Sequence, residues 1–565
     1  MRRWRSFSSL MVLGLVLAAC SSPGTSAGPT GSAAASAEGS HAPFAARSYP
    51  VDAPADCAYG GEFSQIKAVD ELTVEFDLCY PDPAFLSKLA FTTNNILDSA
   101  DLEANMANHL ILARPNGTGP YKFEEYQRGD HVTLKAFDGY WGDKAKADEL
   151  VIQWNSEAAA RLLALQSGTV DGIDNPGPDD FAAIESDSSL TLYPREALNT
   201  MYLGWTNTFA PFDNQKVRQA LAQGIDRKRI IDNFYPEGST VADYFTPCNV
   251  EFACEGDPWY AFDATAAKAL LADAGFPNGF STHIYYRDVV RDYLPDVTVV
   301  ATELQKQLKD NLGITADLVE QESGTFLDNS SQGLLDGLYL LGWIADYPDP
   351  TNFLDYHFNN PGNVQFGTID ASVTDPLKTG AQTLDADARK AAYAEANNAI
   401  RDFVPMVPIA HGASATVFKA DVAGAHSSPF AREDFSKMDP GHSPFVWMQN
   451  AYPISLYCAD ETDGETLRIC DNIFESLYKF AVGETVPSPG LATGCEANDD
   501  ATVWTCTLRE NVKFHDGARF DAGDVVDTFA VQWDLDHPLH VGRTGTFEYW
   551  AGLWGQYLNV PPAAS

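Results

Sequence analysis

Apolar positions recur along this chain with two periods. Alternation at Leu72, Val74, Phe76 and Leu78 predicts a half-buried strand within residues 66–78, and residues 131–135 and 502–508 alternate in the same way. Helical spacing predicts helices over 158–166, 264–274 and 297–312, closed by Gly168, Gly275 and Gly313, and further helices over 386–403, 467–478 and parts of 83–109. Asp213 reads as the N-cap of another, whose apolar stripe is Val217, Leu221 and Ile225. Strands are expected at 170–173 and 314–319, each directly after a helix. A strand, helix, strand order of this kind implies an α/β chain. Prolines 405 and 408 within the apolar run 404–411 suit a strand at a sheet edge.

The run Leu334 to Leu341 predicts a buried strand that ends in Gly342-Trp343-Ile344-Ala345-Asp346-Tyr347-Pro348-Asp349-Pro350. Asp346 therefore leaves the core at a strand end, between two aromatic residues. A carboxylate that has lost part of its water there calls for a cation, from the protein or from a ligand. The plainer alternative is that Asp346 and Asp349 only shape an Asp-Pro turn.

At 565 residues the chain is too long for one core and divides into two or three domains. Its formal charge of −41 argues against nucleic acid and anionic membrane surfaces as partners, because both would be repelled. The N-terminus carries Arg2, Arg3 and Arg5, then an apolar stretch from Leu10 to Leu17 too short to span a bilayer, then Leu17-Ala18-Ala19-Cys20. This ending resembles the bacterial lipobox, in which the Cys is lipidated. Residues 21–38 are almost all Ser, Ala, Gly, Pro and Thr, the composition of a flexible leash. Setting Cys20 aside leaves eight cysteines in an oxidising compartment, close in sequence as Cys57/Cys79, Cys248/Cys254, Cys458/Cys470 and Cys495/Cys506. Neighbour pairing is the simplest of the many possible connectivities, and the lack of Cys-x-x-Cys spacing disfavours zinc.

Catalytic signals are missing. Beyond the Ser/Ala/Gly-rich leash of residues 21–38, no Gly-x-Ser-x-Gly elbow, His-Glu-x-x-His or phosphate loop occurs, and Gly117-Thr118-Gly119 reads as a tight turn into a strand. His515-Asp516-Gly517 could pass for a catalytic pair, although the family resemblance given below implies a structural turn. His411 is the one histidine near an expected cleft, and a lone histidine is more often satisfied locally than used as a ligand.

From Phe445 the chain begins again, with Phe474-Glu475-Ser476-Leu477-Tyr478, then Lys513-Phe514-His515-Asp516-Gly517 and a helix start at Phe520 to Val526. Together with segments 117–123, 160–174, 211–227, 342–350 and 404–411, these residues resemble the extracytoplasmic solute-binding proteins of bacterial ABC importers for dipeptides, oligopeptides and nickel. The family places the first two segments near its N-terminus, whereas here they come last. The resemblance therefore implies an α/β, two-lobed periplasmic-binding-protein-like fold with an extra third domain and its segments in circularly permuted order. The expected division is a signal at 1–20, a tether at 21–46, an extra domain from 47–112 with 480–565, lobe I from 113–215 with 425–479, and lobe II over 216–424.

By the same resemblance the protein is expected to be a monomeric lipoprotein, anchored through Cys20 outside the cytoplasmic membrane, without a cofactor. It would capture short peptides and deliver them to the permease of an ABC importer. Other readings are a binding protein for a nickel-like metal chelate or an oligosaccharide and, from another class, a secreted hydrolase. In peptide-binding relatives the Asp matching Asp346 holds the α-ammonium. Trp343, Tyr347, Tyr202 and Trp205 are expected around the ligand, although Trp205-Thr206-Asn207 departs from the aromatic-Asn-Thr of relatives. Arg287, after Tyr285 and Tyr286, is the candidate for a peptide carboxylate because a guanidinium offers a bidentate fork, and Arg291 is its alternate.

Overall fold

A computed structural model describes residues 44–561. The expected signal, Cys20 and most of the tether lie outside the described residues. Among those described, no helix is long and apolar enough to cross a membrane.

Three sheets organise the chain. The first has five antiparallel strands in the order Arg47–Tyr49, Phe63–Asp70, Thr73–Leu78, Val503–Leu508 and Ala492–Ala497, so it is woven from both ends of the sequence. Residues 66–78 are thus not one strand. The chain turns at Glu71-Leu72, where the Leu72 N–H donates to Asp70 Oδ1 at 2.9 Å, an Asx turn that reverses the strand. The alternation Val74, Phe76, Leu78 faces inward, and Phe63 and Phe76 meet Phe529, Trp550 and Trp554 from the C-terminal helices Ala522–Trp533 and Glu548–Trp554. Trp554 O accepts from the Glu62 N–H at 2.8 Å, and Asp534 is hydrogen-bonded by both Tyr49 and Asn559. The two described ends of the chain therefore lie together.

The second sheet has seven strands, in the order Tyr121–Gln127, His131–Ala136, Glu149–Trp154, Phe445–Gln449, Gly172–Asp174, Ser414–Lys419 and Leu190–Arg195. The late strand Phe445–Gln449 sits parallel between two early ones. The third sheet has six, Thr240–Val241, Met406–His411, Asn199–Trp205, Leu338–Ile344, Ser281–Tyr286 and Thr315–Glu320. In it the helix Val297–Leu312 connects two parallel strands, and Gly313 closes the helix in the left-handed region at φ 72°.

The second and third sheets are joined by residues 196–198 and by Gly412-Ala413. The expected lobe boundaries at 215/216 and 424/425 are therefore displaced: Asn199–Trp205 pairs in the six-stranded sheet and Ser414–Lys419 in the seven-stranded one. Apolar runs continue on both sides of each link, so hydrophobic pattern does not mark the crossing. Asn199 ties the links together, donating from Nδ2 to Gly412 O at 2.7 Å and accepting from the Gly412 N–H at 2.8 Å. A Cβ at Gly412 would fall 2.3 Å from Asp292 O, so only glycine fits this close passage.

Helices stand at Ala158–Gln166 and Ala386–Phe403 as their periodicity predicts. The helix expected from Asp213 is capped instead by Asn214, and the one expected over 467–478 runs from Gly464 to Ile473, capped by Asp463. The proline-punctuated strand Met406–His411 is one place in from the edge, covered over its last two residues by Thr240–Val241. The cysteines form the four neighbour pairs, Cys57–Cys79, Cys248–Cys254, Cys458–Cys470 and Cys495–Cys506.

Candidate ligand-binding cleft

The strand Leu338–Ile344 is buried because it pairs on both sides, antiparallel to Asn199–Trp205 and parallel to Ser281–Tyr286. Its C-terminal end delivers Trp343 and Asp346 to a partly open cavity of about 100 Å³ between the six-stranded lobe, the seven-stranded lobe and the C-terminal helix. The turn after it is built by side chains. Asn352 Oδ1 accepts from the Asp346 N–H at 2.9 Å and from Trp343 Nε1 at 3.1 Å, and Asn352 Nδ2 donates to Asp346 Oδ2 at 3.1 Å. Asp349 caps the helix Pro350–Phe358 and receives Arg389 Nη2 on both oxygens at 2.8 Å, so its role is structural.

Asp346 is 3% exposed and lines the cavity, but it does not wait there for a cation from outside. Arg432 Nη1 donates to its Oδ1 at 3.0 Å and Nη2 to its backbone oxygen at 2.9 Å, while Arg432 Nε lies 3.2 Å from Asp471. Of the two expected sources of a cation for Asp346, the protein or a ligand, the protein supplies one: a guanidinium from another part of the chain pairs with it. Burial still pushes the Asp346 carboxyl above its usual range, against the pull of Arg432.

Other expected residues divide. Arg287 is 8% exposed, lines the cavity and donates from Nη1 to Ser323 Oγ at 2.9 Å; among the described residues no carboxylate lies within ion-pair distance of it. Its alternate, Arg291, is committed to Glu465 at 2.5 Å and Asp463 at 3.3 Å. Tyr202 lines the cavity with its hydroxyl on Gln365 Oε1 at 2.6 Å, and Trp343 lies against Tyr356 with ring centroids 3.9 Å apart. Trp205 is off the cavity wall, fully buried beside Phe212 in the core of its lobe, because it stands at the opposite end of its strand from Asn199. Tyr347 is also off the wall. It is fully buried, 3.2 Å from Thr351 Oγ1, since it points away from the cleft into the turn.

His411 is buried outside the cavity with Nδ1 2.7 Å from Asn199 O, and burial lowers its pKa to about 4. The histidine on the wall is His357, whose ring burial lowers to about 3, so it is neutral. Among the described residues no group of three or more His, Cys, Asp or Glu is placed to hold a metal ion. Arg432, His357, Glu465 and Glu548 were not among the sequence candidates. They reach the cleft from separate elements, and no local pattern brings them together.

Contacts across the cleft hold the lobes closed. Arg195 meets Asp292 at 2.8 Å, Tyr452 Oη donates to Glu322 at 2.8 Å, and Asn450 Nδ2 donates to Val290 O at 2.9 Å, in addition to the Arg291 and Arg432 pairs. Two lobes on two short links, closed over a mostly apolar cavity with charged groups on its wall, form a capture device in which ligand can stabilise the closed form.

Comparison with known families bears on this architecture directly. Residues 29–365 and 486–546 match the model for bacterial extracellular solute-binding proteins, family 5 Middle. The chain belongs to this family. The solute-binding protein is 30% identical over 383 residues to the dipeptide-binding protein of Escherichia coli K12, covering 66% of this chain and 71% of that one. It is 31% identical to heme-binding protein A of Haemophilus influenzae, with 66% and 68% covered. Among solved structures it resembles the dipeptide-binding protein of Pseudoalteromonas sp. SM9913 in complex with Met-Leu, at TM-score 0.62 and 28% identity over 67% of this chain and 76% of that one. Membership makes this an extracytoplasmic binding protein and not an enzyme.

Proposed function

We propose that this solute-binding protein captures short peptides outside the cytoplasmic membrane and passes them to an ABC importer, held at the membrane by a lipid on Cys20. The observation that carries the reading is Arg287, a buried guanidinium on the cavity wall with no carboxylate within ion-pair distance among the described residues, its charge reaching Asp463 only at longer range. A buried charge without a partner is costly, and a peptide carboxylate would supply the partner in bidentate form. The relatives named for dipeptides support the same substrate class. Trp343 and Tyr202 would wall the bound chain. Asp346 would reach the ligand only after Arg432 swings aside towards Asp471.

The cavity of about 100 Å³ is below the roughly 300–1,000 Å³ of pockets that hold small molecules, so entry requires the lobes to part. Closure around the peptide would then give the permease a shape that differs from the open form.

The permuted segment order belongs to the same reading. The late strand Phe445–Gln449 in the middle of an early sheet, and the meeting of both described chain ends at Asp534, support it. Permutation is feasible when termini lie close together and the new break falls in exposed chain.

Titration calorimetry with Ala-Ala, Ala-Ala-amide and a set of sugars tests the substrate. Ala-Ala should bind and the amide should bind at least tenfold more weakly. Sugar binding without peptide binding would replace this reading with an oligosaccharide receptor.

A further inference from the structure

A second cavity, of about 420 Å³ and partly open to solvent, lies between the five-stranded domain and the six-stranded lobe. The helix Pro350–Phe358 separates it from the cleft. Asn352 and Tyr356, one turn apart, meet Asp346 and Trp343 on the cleft side, whereas Thr351, Asp355 and Phe358 share a different face at the i, i+4, i+7 spacing and line the second cavity. Its other wall comes from the five-stranded domain, with Glu62, Lys88 and the helix Glu548–Trp554. The volume lies within the roughly 300–1,000 Å³ of pockets that hold small molecules, with no parting of lobes required.

Three acceptors on residues of this wall have no donor among the described residues: Glu62 Oε1, Asp355 Oδ2 and His357 Nε2. Each residue is more than nine-tenths buried, so water does not replace the missing bonds. The histidine counts as an acceptor because its Nδ1, 2.7 Å from Phe353 O, carries the proton of the neutral ring. Cations are equally short. Lys88 Nζ is shared between Glu62 Oε2 at 3.1 Å and Asp82 at 2.7 Å, one buried ammonium for two buried acids. Asp355 has only the neutral Asn359 Nδ2, 3.3 Å from Oδ1, and the neighbouring Asp349–Arg389 pair is closed on itself. Lys378, the other cation on the wall, is solvent-exposed. Burial raises the Glu62 carboxyl well above its ordinary range and Asp355 to about 7, in each case against the pull of Lys88. The terminal torsion of a carboxylate is soft, so either oxygen can turn to a donor that enters the cavity. Among the described residues no group of three or more His, Cys, Asp or Glu is placed to hold a metal ion, which leaves an organic cation.

We propose that the cavity between the five-stranded domain and the six-stranded lobe is a second ligand site, which takes a small organic cation bearing several N–H donors on Asp355, Glu62 and His357. An ammonium and a guanidinium share this chemistry. The site is separate from the cleft, and it stands or falls apart from the peptide reading.

Calorimetry on the full protein tests it with butylammonium, propylguanidinium and tetraethylammonium, at high salt to screen the acidic surface. Butylammonium or propylguanidinium should bind one to one, and which of them does so names the head group. Tetraethylammonium has the charge but no N–H, and should bind at least fivefold more weakly than the better of the two. Asp355→Asn removes a charge that burial already disfavours, so the variant should fold, and it should lose fivefold or more in affinity for the bound probe. Ala381→Leu, at a half-buried wall position, narrows the cavity without changing charge and should weaken the same probe; if this variant does not fold, Asp355→Asn decides. Saturating Ala-Ala should leave probe binding in place. The assignment is overturned if neither N–H probe binds, which would leave the cavity to water, or if tetraethylammonium or Asp355→Asn falls short of the fivefold difference. It is also overturned if Ala-Ala abolishes probe binding, since the probe would then sit in the cleft. Failure of Ala-Ala itself to bind counts against the peptide reading alone, and the remaining arms still decide this site.

Discussion

Arg432 and Asp346 form an ion pair across the cleft, Nη1 to Oδ1 at 3.0 Å, with both side chains less than one-tenth exposed. Coming from opposite lobes, they make closure depend on a contact inside the protein. Removing one partner leaves a buried charge unpaired. Arg432→Ala should therefore destabilise the fold by about 3–5 kcal/mol in urea unfolding. The double variant Arg432→Leu/Asp346→Asn should recover most of that loss. If the single and double variants lose equal stability, the coupling between the two is absent.

Asn199 and Gly412 are the corresponding pair at the hinge. Asn199→Ala removes two hydrogen bonds and leaves the Gly412 N–H and C=O without them, at about 1–3 kcal/mol for each group left unsatisfied. Small-angle scattering should also show a larger radius of gyration without ligand, because the links lose their cross-tie. Unchanged scattering with reduced stability would mean that the tie serves folding and not lobe position.

Asp355, on the helix that Asp349 caps, provides a pH test. Burial raises its carboxyl from the ordinary 3.8 to about 7, with Lys88 pulling the other way, and its Oδ2 has no hydrogen-bond partner. Because the folded value exceeds the unfolded one, the folded protein holds the extra proton between about pH 4 and 7, and this group's stabilisation is lost as pH rises through that window. Asp355→Asn should remove the loss, gaining on wild type by up to about 1.4 kcal/mol per pH unit between pH 4 and 7 and staying level above it. Melting curves taken across that range check the slope, and a constant difference at all pH values would contradict it.

Permuted order makes a prediction about connectivity. A chain beginning at Gly441, in the exposed turn before Phe445, running to Pro561 and joined by a short Gly-Ser linker to Phe44, should fold with the same four disulfides. Its spectrum and melting temperature should lie close to those of the natural order, because both ends already meet at Asp534. A molten or aggregated product would count against permutation.

Local patterning is written along the chain and can be read there. The helices Ala158–Gln166, Val297–Leu312 and Ala386–Phe403 follow from periodicity and their stop signals, because turn-to-turn neighbours are near in sequence. The four disulfides join near neighbours for the same reason. Where several signals compete within a few residues, local reading slips: Asp70 turns one expected strand into a hairpin, and Asp463 starts a helix early.

The sequence by itself determined that a carboxylate at position 346 would be buried at a strand end and need a cation, since the apolar run and the turn residues around it are contiguous. Only the tertiary structure decided that the cation is Arg432, that Arg287 has no carboxylate within ion-pair distance among the described residues while Arg291 is spent, and that Glu548 lies on the cleft wall. These residues lie tens to hundreds of positions apart on different elements. Burial is set by local composition, but pairing is set by which surfaces the folded lobes bring within about 3 Å of each other, and no periodicity along the chain encodes that.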